Sequence, residues 1–345
     1  MTEPSRLEPG GSAIPAMVAD ALGTKVVATI GRAFFPEAAK DRLSVLIFHR
    51  VLAEADPLLP EEMTAALFLK DMQLLRRKFN VLSLSEGLER LRNGTLPPYS
   101  LCLTFDDGYR DNYEVALPML ERLGLPATFF VATSFIDGGR MWNDTLLEVL
   151  RRWPHDTVDL RDWGIPVMPA KSDEDKRRIF KGLQRWLRRI GIKGRDGFLN
   201  ELVQRAGQPL PNDLMMTSEQ VRDLAQRGME IGCHTVTHPI LTRVPVETAR
   251  QEILAAKAKL EQLAGKSVRY FAYPNGIPGD DYDATHAQLV RECGFEAAFS
   301  TAWGVATARS DLFQLPRFTP WDKTAARYVL RFLLSRRNVT YRQAA

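Results

Sequence analysis

Only three cysteines, Cys102, Cys233 and Cys293, occur in the 345 residues. They are too few and too odd for a disulfide framework, and their apolar neighbours suit reduced, buried thiols. Histidine is also scarce, at five, so any two lying close together carry information. No apolar run approaches the roughly 20 residues of a membrane-spanning helix. The pattern of a secretory leader is missing as well. The first charges are mixed (Glu3, Arg6, Glu8), and the apolar run from Val26 to Ile30 stops at Gly31 and Arg32. The expectation is a cytoplasmic protein. Charge of one sign is lacking too: 46 Lys and Arg against 42 Asp and Glu leave +4, too weak an excess to indicate a nucleic-acid partner. Glycine has no period, which excludes a fibrous protein, and a hydrophobic share of 45% excludes a disordered one.

What is present is alternation. Short apolar, β-rich runs occur at Leu43–His49, Leu101–Asp106, Ala127–Ala132, Met229–His234, Val268–Pro274, Ala297–Thr301 and Gln314–Phe318. Amphipathic helical patterns separate most of them, as at Thr64–Lys78, Ser218–Arg227 and Val246–Ala264. This α/β pattern predicts a parallel sheet covered by helices, and its length favours a (β/α) barrel over an open sheet. Seven strands fall short of the usual eight, with Asn80–Leu84 a small addition. The spacing predicts one barrel over 41–320, a loosely attached lead-in over 1–40 with a short helix near 13–24, and a basic C-terminal helix in 321–345.

One segment breaks the rhythm. Residues 137–216 contain no convincing strand and read as a helical insertion. Ile179, Leu183, Trp186, Leu187 and Ile190 recur at helical spacing, with Arg177, Arg178, Lys181, Arg185, Arg188 and Arg189 around them. Such a helix is a solvated cover on the barrel or a basic surface that meets an anionic lipid or polymer, peripheral membrane contact included. The C-terminal stretch Ala325–Arg337 has the same two readings.

Chemistry gathers where apolar runs end. Leu101–Phe105 runs into Asp106, Asp107 and Gly108, and both carboxylates can reach one site only if the strand stops there and Gly108 turns the chain. In a parallel barrel that strand end is where sites are built. The run Met229–Cys233 ends in His234-Thr235-Val236-Thr237-His238-Pro239. One short turn would place the two histidines beside a shared divalent ion, although Pro239 disfavours helical geometry at His238. Two histidines and a carboxylate suit a hydrolytic zinc site or a non-haem iron oxygenase. The second aspartate favours a hydrolase, because a base is needed close to the attacking water.

At these residues the sequence resembles the polysaccharide deacetylases with the NodB-homology domain, carbohydrate esterase family 4. Thr104-Phe105-Asp106-Asp107-Gly108 matches that family's first motif, and His234-Thr235-Val236-Thr237-His238 its second. The resemblance covers roughly 41–320. It implies a distorted (β/α) barrel of about seven parallel strands and metal-dependent removal of N-acetyl groups from amino sugars, in an oligosaccharide or exopolysaccharide precursor. It implies Asp106 as catalytic base, a metal-activated water as nucleophile, and Asp107, His234 and His238 as ligands of a divalent metal, zinc before cobalt or nickel.

Two departures follow from the same comparison. The family's arginine that orients the base is replaced by Ala272 in Ala272-Tyr273-Pro274-Asn275-Gly276, so another cation is needed, and Arg317 is the candidate. Arg317 has an alternative reading as a barrel-rim salt bridge. The family's late histidine is also missing. A circularly permuted subgroup resembling poly-N-acetylglucosamine deacetylases carries that general acid on the first strand, where His49 stands here. The resemblance also implies that Asn275 offers a backbone N–H to an oxyanion, with Tyr273 beside it. Trp142 is a candidate sugar-stacking wall, and Tyr109 a candidate rim contact. Amide hydrolysis on a non-sugar substrate and a non-catalytic glycan-binding role remain as alternatives, and nothing in the sequence sets the oligomeric state.

Overall fold

The computed structural model describes residues 40–319 and 325–345. The expected lead-in and its short helix, apart from Lys40, and the first residues of the expected C-terminal segment lie outside them.

Among the described residues eleven strands appear in chain order: β1 Ser44–Phe48, β2 Val51–Leu52, β3 Met63–Thr64, β4 Asn80–Val81, β5 Ser100–Phe105, β6 Thr128–Val131, β7 Thr157–Leu160, β8 Ile165–Pro169, β9 Glu230–Cys233, β10 Tyr270–Ala272 and β11 Ala297–Phe299. Six of them form a curled parallel sheet in the order β1-β5-β6-β9-β10-β11, with β4 added along β5. The expected seventh strand, Gln314–Phe318, closes the curl with a single parallel bridge to each edge, Leu315 to Phe299 and Phe318 to Leu46. The result is a distorted (β/α) barrel.

Alternation along each strand sorts its side chains between two cores. Leu46, Phe105, Phe129 and Phe271 pack outward against helices through Phe68, Leu75, Leu117, Val221 and Ile253. Val45, Cys102, Phe130, Ala272 and Phe299 face the other way and meet Leu84, Leu88 and Leu91 of the helix Leu84–Arg92. Cys102, Thr104 and Asp106 follow one another on this inner face by the same period. Gly232 of β9 permits the curl, because a Cβ there would stand 2.3 Å from the Phe130 ring. All three cysteines are free and buried.

The chain between β6 and β9 departs from the strand–helix alternation, and the Asp137 N–H donates to the Met216 carbonyl at 3.2 Å. Between them, helices Trp142–Arg151, Asp173–Leu187 and Ile192–Ala206 enclose a separate core around Leu146, Leu150, Leu183 and Leu202. The expectation of no strand here is corrected: β7 and β8 form an antiparallel hairpin across Gly164, and Val158 and Leu160 anchor it in that core. Their alternating pattern is too short to stand out beside the helical periodicity.

The C-terminal helix Ala325–Ser335 is docked. Phe332 is buried 4.4 Å from the Phe79 ring, and the buried Arg336 guanidinium donates to Ser44 Oγ, the Ser100 carbonyl and the Arg42 carbonyl beneath β1 and β5. Val329, Phe332 and Leu333 are buried against the barrel, while Leu330 and Leu334 stay exposed. Among the described residues no helix is long and apolar enough to cross a membrane.

Candidate active site

β5 ends at Phe105, and the chain turns at once. Asp107 has φ +76° and Gly108 φ +90°, and this reversal lets the two adjacent carboxylates face one cavity. β9 ends at Cys233, and the short turn expected between the histidines is a non-helical bend, with Thr235 at φ +67° and His238 at φ +54°. Pro239 excludes the helical alternative, and His238 N–H donates to Thr235 Oγ1 at 3.1 Å. Positive φ at a β-branched threonine is costly, and it persists because the surroundings hold it. Glu252 does much of this: its carboxylate accepts the N–H groups of Val236 and Thr237 at 2.9 and 2.7 Å and the Thr237 hydroxyl at 2.7 Å. Sequence reading passed over Glu252 because it lies on an ordinary amphipathic helix, Val246–Ala264.

The donor set converges. His234 Nε2 and His238 Nε2 are 3.1 Å apart, and each lies 3.4 Å from Asp107 Oδ1. The His234 Nδ1 lies 2.7 Å from the Ala272 carbonyl, which can only accept, so Nδ1 carries a proton and Nε2 is the nitrogen turned to the site; burial opposes the charged ring, but Asp106 and Asp107 hold it above its usual range. Burial, aided by the charge of His234, pushes His238 down to about 4, so this ring is neutral at neutral pH. Asp107 Oδ1 is buried without a hydrogen-bond partner. Among the described residues Asp107, His234 and His238 form a group whose ligand atoms could hold one ion, and an N,N,O set with an orphaned carboxylate oxygen fits a divalent metal cation.

Asp106 lies beside this set, its Oδ2 3.8 Å from His234 Nε2. It is 2% exposed, and Arg317, 1% exposed, clamps it with two parallel bonds of 2.7 Å. Arg317 is itself aimed by the Ser300 carbonyl at 3.0 Å. Burial alone would raise the Asp106 carboxyl, but Arg317 and His234 more than offset it and hold it below the usual range.

Asp106, Asp107, His234 and His238 line a cavity of about 240 Å³ together with His49, Met141, Trp142, Asn143, Gln184, Arg188, Asn275, Ile277 and Thr301. His49 is exposed there, just beyond β1, and its backbone carbonyl is held by Asn112 Nδ2 at 2.7 Å. Asn275 has φ +57°, and no described residue accepts from its N–H. Trp142 is half-buried, packs on the insertion core and carries the Arg195 guanidinium 5.1 Å from its ring centre.

Two expected contacts lie elsewhere. Tyr109 is buried, with Arg50 stacked on its ring, and its hydroxyl donates to Asp144 at 3.1 Å, so it is no rim residue. Tyr273 is buried and stacked 3.8 Å from Tyr282, and its hydroxyl donates to the Phe313 carbonyl. Gln184 and Arg188 are the reverse case. They sit on what reads as a solvated helix, and only the fold of the insertion brings them to the cavity.

The polysaccharide deacetylase family model matches residues 93–298. The chain belongs to the polysaccharide deacetylase family. Among curated relatives of this family, YxkH of Bacillus subtilis (strain 168) is 21% identical over 215 residues, 62% of this chain. The chain spans about half, 49%, of that relative's length. Among solved structures, the Streptococcus pyogenes deacetylase PplD in complex with acetate is 19% identical with a TM-score of 0.56, over 85% of this chain and 99% of that one. IcaB from Ammonifex degensii is 19% identical with a TM-score of 0.55, over 86% and 98%. At these identities the structural likenesses establish the polysaccharide deacetylase fold.

Proposed function

We propose that this chain is a hydrolase that removes the acetyl group from an N-acetylated amino sugar in an oligosaccharide or exopolysaccharide precursor. The reading treats 41–320 as one catalytic barrel carrying the insertion 137–216. The observation that carries it is the convergence of Asp107 Oδ1, His234 Nε2 and His238 Nε2 beside an aspartate clamped by arginine.

Asp107, His234 and His238 would hold the divalent cation, with zinc the first choice and cobalt or nickel alternatives. Bound there, such a cation would supply Lewis-acid chemistry, polarising the amide carbonyl and acidifying water, so that a base as weak as Asp106 would suffice. Asp106, kept ionised and fixed in direction by Arg317, takes the proton of that water as it attacks the acetyl carbon. Arg317 is thus a positioning residue. The Asn275 N–H, left without a protein acceptor, donates to the oxygen that gains charge. His49 gives a proton to the departing amine, so the C–N bond breaks to free amine and acetate. Trp142 forms a wall against which a sugar ring can lie.

The test is acetate release from N-acetylglucosamine oligomers by the full chain supplied with zinc or cobalt. Asp106→Asn is expected to lower kcat by roughly 10²- to 10⁴-fold. Undiminished turnover in that variant removes the assignment. Turnover of small non-sugar amides alone moves the substrate class.

A further inference from the structure

The cavity contains a charge that a neutral acetamido sugar does not use. Its acidic lining residues are Asp106 and Asp107. Asp106 is taken by Arg317, and Asp107 faces the two histidines. Arg188 lines the same cavity, and among the described residues no carboxylate lies within ion-pair distance of its guanidinium. Arg151, Arg178 and Arg205 of the insertion are paired with Asp56, Glu174 and Asp162, whereas Arg185 and Arg189, near Arg188 on the same helix end, likewise have no carboxylate within ion-pair distance among the described residues. Asp281 feels the Arg188 charge, but it is buried and accepts the Ile277 N–H at 2.9 Å.

Arg188 caps the C-terminus of the helix Asp173–Leu187, where a cation is favoured by the helix dipole. Arg185, in the last turn of the same helix, already supplies a cation there and does not line the cavity. A helix-end role therefore leaves the direction of Arg188 unexplained. Arg188 is itself exposed, as are Lys181, Arg185 and Arg189 along the same helix end, and together they give the approach a positive field. The cavity is also below the usual 300–1,000 Å³ of ligand sites, a size for one sugar ring with a group reaching Arg188.

We propose that Arg188 is a specificity-determining residue that binds an anionic group, carboxylate or phosphate, carried by the amino-sugar substrate. The inference rests on the N-deacetylase reading above and narrows its substrate class from neutral to acidic N-acetylated glycans.

Three matched probes test it: a neutral N-acetylglucosamine tetramer, the same tetramer bearing a terminal phosphate, and the tetramer oxidised to carry C6 carboxylates. With the metal-supplied full chain, kcat/KM on at least one anionic probe is expected to exceed the neutral value by roughly tenfold at low salt. That ratio should shrink as salt is added and collapse towards one in Arg188→Gln, but persist in Arg189→Gln. The probe whose advantage depends on Arg188 identifies the group. A wild-type ratio near one, or a ratio that survives Arg188→Gln, overturns the inference. If no probe is hydrolysed, the deacetylase reading fails, and equilibrium binding to Asp106→Asn with and without Arg188→Gln decides the rest. Anion-selective binding lost with Arg188 upholds the inference, and its absence overturns it.

Discussion

The barrel and the insertion hold their cavity-lining side chains by different means. In the barrel, Asp106, Asp107, His234 and His238 follow strand ends, and each is fixed by an ion pair, a carbonyl or a strained backbone angle. The insertion brings Trp142, Gln184 and Arg188 on helices around a core that shares no residue with the barrel's cores. Reacting groups need fixed directions, so they sit where the backbone is most constrained. Groups that select a substrate tolerate a separately packed element, which can vary without disturbing the chemistry.

The largest effect expected to sharpen this contrast is at Arg317. Arg317→Met leaves Asp106 buried without its cation, and breaking one half of a buried pair costs about 3–5 kcal/mol. Denaturant unfolding of the protein measures that loss. Adding Asp106→Leu to Arg317→Met should recover much of the stability while activity stays absent, because the penalty is an unpaired charge. A single Arg317→Met variant as stable as wild type would show that the clamp is not what holds the barrel site.

Next is the insertion core. Leu183→Ala removes a buried side chain from between the insertion helices and is expected to cost about 2–5 kcal/mol. Hydrogen exchange should quicken across 142–206 before it changes in β5 or β9, as expected for a locally opening unit. Divalent-ion affinity should stay at the wild-type value while KM rises. Loss of metal affinity in step with the insertion would break the comparison and make the two regions one cooperative unit.

How much of this was legible in the sequence follows the same division. Asp106 and Asp107 were readable because an apolar strand runs into two carboxylates and a glycine, a local pattern. His234 and His238 were readable by spacing, but the geometry joining them was not, since positive φ at Thr235 depends on the distant Glu252. Arg317 stands 211 residues from Asp106, and only the missing arginine at Ala272 drew attention to it. Arg188 was hidden for a physical reason: helical periodicity separates buried from unburied, and a cavity-facing arginine counts as unburied. Tyr109 and Tyr273 erred the other way, because nearness in sequence to a site says nothing about which way a ring turns.

The smallest effect expected lies at the seam between the two regions. Asp144 is on the first insertion helix and 4% exposed, and it accepts the Tyr109 hydroxyl of the barrel loop. Burial, with help from Asp107, raises its carboxyl to about 7, although Arg50 and Tyr109 oppose the rise. A carboxyl raised in the fold contributes stability below its unfolded value, and that contribution is lost as pH climbs through about 7. Asp144→Asn keeps an acceptor for Tyr109 and has no charge to develop. Its stability relative to wild type should therefore improve between pH 5 and 8, by on the order of 1 kcal/mol, in thermal unfolding with a chelator present. A divalent ion at Asp107 adds positive charge near Asp144, so the same gap should narrow when zinc is supplied. A gap independent of both pH and zinc would mean that the seam does not sense the metal site, leaving the insertion coupled to the barrel by packing alone.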